Sequence, residues 1–456
     1  MQPHIVRFNE MGESRYEETD SSRAGLAAAR QSAAAATLVL RNDVADDEER
    51  SAAAARMLKA QGDLIKFLKV AVDAEYMAEI EACCKVLQEA LPGPSSTVAE
   101  SLLLVGSAHA CRCFAREALD YEKRALAMFE ETLPADSLLI AEALYSIGQS
   151  FLSLGDYRNA LDSFQRALSI EMRILPAEHP HLGECLHGIA RSYGHLGQFV
   201  ASFAHHRRAL AIREAILPAH HPHIAASLDG IGQALLAVGQ HRAALEHHQR
   251  ALAIQVQSLP ALHPDIAASL SGIGQAFGDL GEPKKSLKNF QRALAISEAS
   301  LPAVHANTAR CLYGIGLAYA SLDEDAKSAV FFERALAMDE VLPAADGGAG
   351  LSSTLRGLGE VYMRLGNHEQ AIVHLQRSLE IKERVLPALS LSTASVLCLM
   401  GHVYARLQNP QAAIAHFTRA LEVFQQVLPP VDERVSECLR GIWLARGGAG
   451  GTRRGT

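Results

Sequence analysis

The sequence has few aromatic residues, no excess of basic charge and no long apolar run. Aromatic residues make up 5% of the 456 residues, and Trp443 is the only tryptophan. A core of Ala, Leu and Ile favours close-packed helices over sheets, where aromatic and β-branched residues prevail. The formal net charge of −8 provides no basic surface for nucleic acid. Since no run of about 18 apolar residues occurs, we expect neither nucleic-acid binding nor membrane insertion.

The eight cysteines are not arranged as C-x-x-C pairs. The close ones are Cys83 with Cys84 and Cys111 with Cys113. Scattered thiols are typical of a reducing compartment, and the first twenty residues contain no apolar segment of a secretory signal. We therefore expect a cytoplasmic protein without a cofactor, and the sequence leaves its oligomeric state open.

A repeat of about 42 residues dominates the chain. The dipeptide Leu-Pro recurs with its leucine at 91, 133, 175, 217, 259, 301, 342, 386 and 428. Similar sequences recur between the Leu-Pro dipeptides, as in LPADSLLIAEALYSIGQSFLSLGDYRNALDSFQRALSIEMRIL at 133–175. The period predicts seven units over residues 92–430.

Each unit has the pattern of two amphipathic helices. In the unit quoted, Leu144, Ile147 and Phe151 lie at the spacing of one helical face. Gly155 is expected to end this first helix, and Asp156 to cap the second. The second helix carries small and apolar residues at Ala160, Phe164, Ala167 and Leu168. Proline then ends it, because proline cannot extend a helix.

These positions resemble the tetratricopeptide repeat. The matching residues are Leu144, Ile147, Gly148, Phe151, Ala160, Phe164 and Ala167. The 42-residue length, the R-A-L-x-I ending and the His-Pro after the break are similar to kinesin light chain and nephrocystin-3-like repeats. The chain differs in carrying Leu-Pro-Ala where those proteins usually have Leu-Gly, and it has no heptad coiled coil. The resemblance implies an all-α fold, a right-handed α-solenoid superhelix of stacked helical hairpins whose first helices line a concave groove.

The two ends depart from the repeat. We expect residues 1–23 to be disordered, residues 24–91 to be helical with a degenerate repeat around Cys83, and residues 447–456 to be a flexible tail. Residues 431–446 are predicted to form a capping helix, as solenoid ends require. Its residues Leu439, Ile442 and Trp443 are expected to turn inward.

Glycines recur inside the first helices. Residues 272–281, GIGQAFGDLG, nearly spell a dinucleotide-binding loop. Such a loop must follow a strand, whereas Gly274 occupies the same place as Gly148 and Gly316 within a predicted helix. We therefore interpret these glycines as sites of close helix packing.

Groove-facing positions lie one and five residues after the large residue of each first helix. They give the candidate peptide-binding residues Tyr145, Gln149, His187, Arg191, Asp229, Gln233, Gln275 and Tyr313. Glutamine can both donate to and accept from a peptide backbone, which suits an extended ligand.

Two other polar patterns recur. An arginine at one register (Arg124, Arg166, Arg208, Arg250, Arg292, Arg334, Arg377 and Arg419) is interpreted as pairing with a carboxylate between units. Twelve of the 20 histidines fall between residues 179 and 248, where metal binding and pH sensing stay open. His179, His221, His263 and His305 recur in the inter-unit turns and are predicted to be structural.

The sequence contains no nucleophile elbow and no inserted catalytic domain. We expect a non-enzymatic protein-interaction scaffold or adaptor that binds a peptide or partner helix in the groove. The alternative is a regulatory sensor whose superhelix binds a small ligand or signalling peptide.

Overall fold

The computed structural model is helical apart from one short strand pair. The structure describes residues 7–8, 14–15, 20–42, 45–71, 74–112, 114–342, 348–385, 389–429 and 431–447. Strands β1 (Arg7–Phe8) and β2 (Ser14–Arg15) pair antiparallel. In these described residues the helices are α1 (Asp20–Leu40), α2 (Asp47–Ala71), α3 (Ala74–Ala90), α4 (Ser96–Cys111), α5 (Ala115–Thr132), α6 (Leu138–Ser153), α7 (Tyr157–Ile174), α8 (Pro180–His195), α9 (Phe199–Ile216), α10 (Pro222–Ala237), α11 (His241–Ser258), α12 (Pro264–Asp279), α13 (Pro283–Ser300), α14 (Ala306–Ala320), α15 (Asp325–Asp339), α16 (Ala349–Arg364), α17 (His368–Val385), α18 (Leu391–Arg406), α19 (Pro410–Val427) and α20 (Glu433–Ala445).

Leu-Pro dipeptides end the second helix of a repeat. Leu175 and Leu259 close α7 and α11 in an extended conformation, with ψ of 151° and 156°. A residue before proline avoids the α region because the proline ring crowds it. The recurring dipeptide therefore fixes the length of each unit.

The turn inside a hairpin depends on a left-handed residue. Gly155 has a φ of 78°, and the Asp156 side chain then accepts from the backbone N–H of Asn159 at the start of α7. Both roles match the sequence prediction. Asp323 and Gln408 take the glycine's place in two later units, each with a φ of 57°.

The helices from α4 to α19 form eight successive pairs between Ser96 and Val427 in the described chain, one more than the seven predicted. The nine Leu-Pro dipeptides in fact bound eight intervals. The even-numbered members from α4 to α18 are here called the first helices, and the odd-numbered members the second helices. Helices pack against their neighbours in sequence and, more lightly, against the next helix but one. The fold is an α-solenoid of stacked helical hairpins, as predicted.

The chain divides into two compact bodies, residues 1–234 and 235–456. In the first body, a core cluster follows the helices from α1 to α9, and Phe129 and Phe164 are fully buried in it. In the second body, Phe332, Phe417 and Phe424 have the same role.

In four units a phenylalanine ring of the second helix fits between two first helices. A Cβ added at Gly148 or at Gly188 would lie 2.8 Å from the ring of Phe164. Gly148 precedes the ring in the same unit, and Gly188 belongs to the next unit. The glycines inside first helices are therefore packing sites, as the sequence predicts, because a methyl group would overlap the ring.

The same arrangement recurs wherever the ring is phenylalanine. Phe290 lies between Gly274 and Gly314, Phe332 between Gly316 and Gly357, and Phe417 between Gly401 and Gly441. Four units replace the ring by another buried residue: Glu122, His206, His248 and Leu375. One facing position also changes in three of these units, with Ser146 beyond Glu122, Ala190 before His206 and Leu399 beyond Leu375, whereas His248 keeps glycine on both sides.

Arginine–glutamate pairs join successive second helices. Arg166 Nη2 lies 3.0 Å from Glu130 Oε1, and Arg334 Nη2 lies 2.9 Å from Glu298 Oε1. Arg377 pairs with Glu340 at 2.7 Å, and Arg419 with Glu383 at 2.6 Å. The predicted seam pairing is confirmed at these four places. Arg124 differs, since it approaches Asp120 of its own helix at 3.9 Å.

The final helix presents a different face from the one predicted. Val435, Cys438 and Gly441 are the buried residues of α20, whereas Leu439 and Trp443 are 50% and 56% exposed. The prediction that Leu439 and Trp443 turn inward is wrong; Ile442 is partly buried against the core. Trp443 stands where other units carry the glycine that faces their own second helix, and no such helix follows α20 in the described chain.

The ends only partly overlap the described residues. The predicted disordered segment 1–23 lies mostly outside them, although α1 begins at Asp20. Helix α2 begins at Asp47, within the charged stretch 41–50, and Cys83 is buried in α3. Residues 448–456 of the predicted tail also lie outside the described residues.

Candidate functional site

The predicted groove residues fall into two structural classes. The residue one place after the buried leucine packs against the second helix of its unit. The ring of Tyr145 meets Phe164 at 5.5 Å between centroids, His187 meets His206 at 5.0 Å, and Tyr313 meets Phe332 at 5.6 Å. Asp229, in the same series, is 9% exposed.

The residue four places further along the helix reaches the surface. Arg191, Gln233 and Gln275 are exposed, and Gln149 is half-buried. The two series diverge because the first position points to the crossing with the second helix, whereas the next turn carries the side chain past it. The second series therefore offers exposed side chains to a ligand at Arg191, Gln233 and Gln275.

A cavity of about 550 Å³ opens beside Tyr145 in the first body. It lies along the N-terminal parts of α6, α8 and α10 and the last turns of α7 and α9. Its walls are Glu142, Tyr145, Ser146, Glu171, Pro180, His181, Glu184, Arg213, Ile216, Leu217, His221 and His223. We call it the Tyr145 cavity.

A chain of hydrogen bonds crosses this cavity. Gln149 Nε2 donates to the Tyr145 hydroxyl at 2.8 Å, and that hydroxyl donates to Glu184 Oε2 at 3.1 Å. The other oxygen, Glu184 Oε1, lies 3.1 Å from His223 Nδ1 and 3.6 Å from Arg213 Nη2. Burial, and then the charge of Glu184, raise the pKa of Tyr145 far above its ordinary value. Tyr145 therefore stays a neutral donor.

Arg213 is a buried charge at the base of the cavity. Its side chain is 4% exposed, and Nη1 donates to the His223 carbonyl at 2.9 Å and to Ser227 Oγ at 2.8 Å. Glu184 supplies the opposite charge. These contacts hold Arg213 and Glu184 in place, because a buried charge without its partner strongly destabilises the fold.

Glu171 brings an unsatisfied oxygen to the same cavity. Its side chain is 4% exposed, and Oε2 has no hydrogen-bond partner. Burial raises the pKa of this carboxyl. Glu142, Glu171 and Glu184 together outnumber the single guanidinium of Arg213, so the cavity favours a cationic or hydrogen-bond-donating group.

The sequence reasoning missed all three carboxylates, although two of them could have been found. Glu142 and Glu184 lie three residues before Tyr145 and His187, at equal places in neighbouring units. Residues three apart share a helix face, so extending the groove face by one turn would have found them.

The clustered histidines have structural roles at several places. Nδ1 of His179 and of His221 accepts from the backbone N–H two residues later, at 3.3 and 3.2 Å. His263 and His305 cap α12 and α14 in the same way. The predicted structural role of these four turn histidines is confirmed.

Buried His206 does not titrate near neutral pH. Burial, followed by the charge of Arg213, lowers the pKa of His206 to about 3. Burial likewise lowers the pKa of His187 well below its ordinary value. These two rings are therefore neutral in the folded protein at physiological pH.

Metal-ligating side chains meet at another place. Within the described residues, Cys398 and His402 of α18 and Glu437 of α20 bring three ligand atoms within 4.8 Å of one another. The described helices include none with the length and apolarity needed to cross a membrane.

Comparison with known proteins identifies the repeat. The sequence profile described as tetratricopeptide repeat matches residues 82–172, 178–255, 265–340 and 350–426. No curated protein matches the chain.

Among solved structures, the apo quorum sensor NprR from B. thuringiensis is 12% identical, with 80% of this chain and 98% of that chain covered and a TM-score of 0.56. A Rap protein complexed with competence and sporulation factor is 18% identical, with 88% and 99% covered and a TM-score of 0.50. TPR-like repeats of a putative kinesin light chain from Podosopora anserina are 22% identical, with 46% and 98% covered and a TM-score of 0.39.

The profile covers more than half of the chain, and the stacked hairpins have the architecture that it describes. The chain belongs to the tetratricopeptide repeat family.

Proposed function

We propose that the protein is a cytoplasmic, non-enzymatic interaction scaffold that binds an extended peptide along the exposed face of its first helices. The Tyr145 cavity receives a cationic group of that peptide, either an amino terminus or the side chain of lysine or arginine. The observation that carries this proposal is the set of three carboxylates in the cavity walls. One of them, Glu171, has a buried oxygen, Oε2, without a hydrogen-bond partner.

The fixed geometry of the cavity supports binding. Tyr145, Glu184 and Arg213 already hold one another through hydrogen bonds and charge. A ligand therefore meets an ordered site, and the ordering cost falls mainly on the peptide. A cation placed near Glu171 would also give its buried oxygen a partner.

Glutamine amides extend the site beyond the cavity. Gln149 lies one turn from Tyr145, and Gln233 is exposed on α10. Each amide can donate to a peptide carbonyl and accept from a peptide N–H. Gln275 is the equivalent exposed residue of α12 in the second body. Similarity in fold to a Rap protein solved with competence and sporulation factor adds support to this mode of binding.

One observation favours the alternative of a regulatory sensor. The Tyr145 cavity has walls from α6, α8 and α10, which belong to three consecutive units. A group that fills it contacts all three, so binding could change the angle between neighbouring hairpins. The sensor proposal requires such a change, whereas a scaffold does not.

The test is selection from a random peptide library, followed by fluorescence anisotropy with the enriched peptides. We expect peptides with lysine, arginine or a free amino terminus. Glu142→Gln removes an exposed charge, and Tyr145→Phe removes the donor to Glu184. Each should weaken binding by about 10-fold, which corresponds to one charge-assisted hydrogen bond.

Arg158→Ala, on the exposed surface of α7, is the matched control and should leave binding unchanged. Enriched peptides without a cationic preference, bound equally by Glu142→Gln, would contradict the role of the cavity. Small-angle scattering with and without the peptide then separates the sensor from the scaffold.

A further inference from the structure

Four metal-ligating side chains lie where α18 meets the final helix. Cys398 and His402 are four residues apart on α18, so they share one face, and Glu437 and Cys438 are consecutive on α20. His402 Nε2 lies 2.8 Å from Glu437 Oε1. The ligand atoms of Cys398, His402 and Glu437 are all within 4.8 Å of one another.

The two sulfur atoms have the spacing of zinc thiolates. Cys438 Sγ lies 3.8 Å from Cys398 Sγ. Zinc binds cysteine sulfur at about 2.3 Å in tetrahedral sites, which places two such sulfurs about 3.8 Å apart. A disulfide would need them at about 2.05 Å. The observed distance therefore suits two thiolates that share a metal ion.

A shared ion requires movements of these side chains. Cys438 Sγ lies outside the group of ligand atoms that are within 4.8 Å of one another, so it must turn towards His402 and Glu437. Nitrogen and oxygen ligands of tetrahedral zinc stand about 3.4 Å apart, since each bond is about 2.0–2.1 Å long. The His402–Glu437 pair must open by about half an ångström from its hydrogen-bonded distance. Both side chains are about one-third exposed, at 35% and 36%, so they can move and solvent can deliver the ion.

Helix packing alone does not require these ligands. At the equivalent place between α12 and α14, the residues are Ser271, Gln275, Arg310 and Cys311, with Ser271 Oγ and Cys311 Sγ 3.2 Å apart. That place packs with one thiol and without imidazole or carboxylate. Glu184 and Cys185 of α8 stand at the places of Glu437 and Cys438, so this pair recurs in the repeat. The departure at the C-terminal end is its combination with Cys398 and His402, where α6 carries Tyr145 and Gln149.

We propose that Cys398, Cys438, His402 and Glu437 bind one zinc ion. Two thiolates, an imidazole and a carboxylate complete a four-coordinate site, and this donor set suits zinc. Binding releases the two thiol protons to solvent. The ion would fasten α20 to α18 and so stabilise the C-terminal end of the solenoid. This proposal is independent of peptide binding in the first body.

The test uses the full-length reduced protein after treatment with a chelator. Titration with Co²⁺ should give one ion per chain, a thiolate-to-cobalt charge-transfer band and the ligand-field bands of four-coordinate cobalt, and Zn²⁺ should then displace it. Trp443 is the only tryptophan and lies on α20, so bound Co²⁺ should also quench the intrinsic fluorescence.

Single substitutions assign the ligands. Cys398→Ser and His402→Gln should weaken Co²⁺ binding by about 100-fold or more, at least as much as loss of an outer-sphere partner does. Cys438→Ser should halve the charge-transfer intensity. His402→Gln tests the site even if a buried cysteine variant does not fold, because His402 is partly exposed.

Cys311→Ser, at the equivalent packing place, is the matched control and should bind Co²⁺ like the wild type. Absence of the charge-transfer band, or equal binding by His402→Gln and the wild type, would overturn the proposal. A Cys398–Cys438 disulfide in the intact mass spectrum of protein purified without reductant would also overturn it.

Discussion

The ring of Phe164 fills the space between two first helices because both residues that face it are glycine. A Cβ at Gly148 would meet ring carbons at 2.8 to 2.9 Å. Gly148→Ala should therefore lower the free energy of unfolding by about 1–2 kcal/mol. Overpacking costs about 1–3 kcal/mol, and the better helix propensity of alanine returns up to about 1 kcal/mol.

Gly62 in α2 is the matched control, since a Cβ there would have no atom within 4 Å. Gly62→Ala should stabilise the protein by up to about 1 kcal/mol. Urea unfolding followed by circular dichroism measures both variants. Equal effects at the two positions would mean that the ring of Phe164 yields freely to a methyl group.

Glu122 takes the place of that ring in the first unit, and its burial makes stability depend on pH. Burial raises the pKa of Glu122 from 4.5 to about 7 in the folded protein. Because the folded pKa is raised, the stabilising contribution of the protonated carboxyl is present below pH 4.5. It is lost as the pH rises through about 7, to a total of about 3 kcal/mol.

Glu122→Gln should therefore be more stable than the wild type near pH 8, with a difference that shrinks towards pH 4.5. Thermal unfolding across this pH range measures the difference. Glu117→Gln, at an exposed position of the same helix, should show no comparable trend. A constant difference across the pH range would contradict the titration of Glu122.

At the scale of the element, histidine caps give several first helices a defined start. His305 Nδ1 accepts from the N–H of Asn307 at 3.1 Å. His305→Ala should destabilise α14 by about 0.5–2 kcal/mol, the usual value of an N-cap. His305→Asp should keep the cap, because a carboxylate accepts the same hydrogen bond and favours the helix dipole.

Hydrogen exchange in the first turn of α14 measures this effect locally. Acid should weaken the cap as well, since protonated Nδ1 cannot accept, and burial lowers the pKa of His305 in the fold. The capping contribution is therefore present above the unfolded pKa of 6.5 and is lost as the pH falls through the lower folded value. Faster exchange in His305→Asp than in His305→Ala would be inconsistent with capping.

Much of the helix arrangement was predictable from the sequence, and the exceptions have a physical cause. The period and the Leu-Pro breaks predicted the hairpins, because proline and helical periodicity act locally. The face of α20 was not predicted, because Trp443 is apolar and its exposure depends on a second helix that the described chain lacks. The Tyr145 cavity was missed because Glu171 and Arg213 reach it from the ends of second helices. The groove residues were predicted from the first helices alone.

At the scale of the whole molecule, stability is a sum of neighbouring contacts. In the described chain, helices contact only helices within a few places of them in sequence. In such solenoids each unit is stabilised by its neighbours, and the final unit depends on its cap. Phe417 illustrates this dependence, since Gly441 of α20 closes one side of its ring.

Removal of the cap should therefore loosen one end of the second body rather than unfold it. A chain that ends at Pro429 lacks α20 and exposes the apolar surface of α18 and α19 that α20 covers. Hydrogen exchange should accelerate in these two helices and stay unchanged in α12 and α13, because the effect passes only through adjacent hairpins. Trp443→Gln, which changes an exposed side chain but keeps α20, should preserve protection throughout. Equal acceleration from α12 to α19 would instead require cooperative unfolding of the whole body, which these sequentially local contacts do not predict.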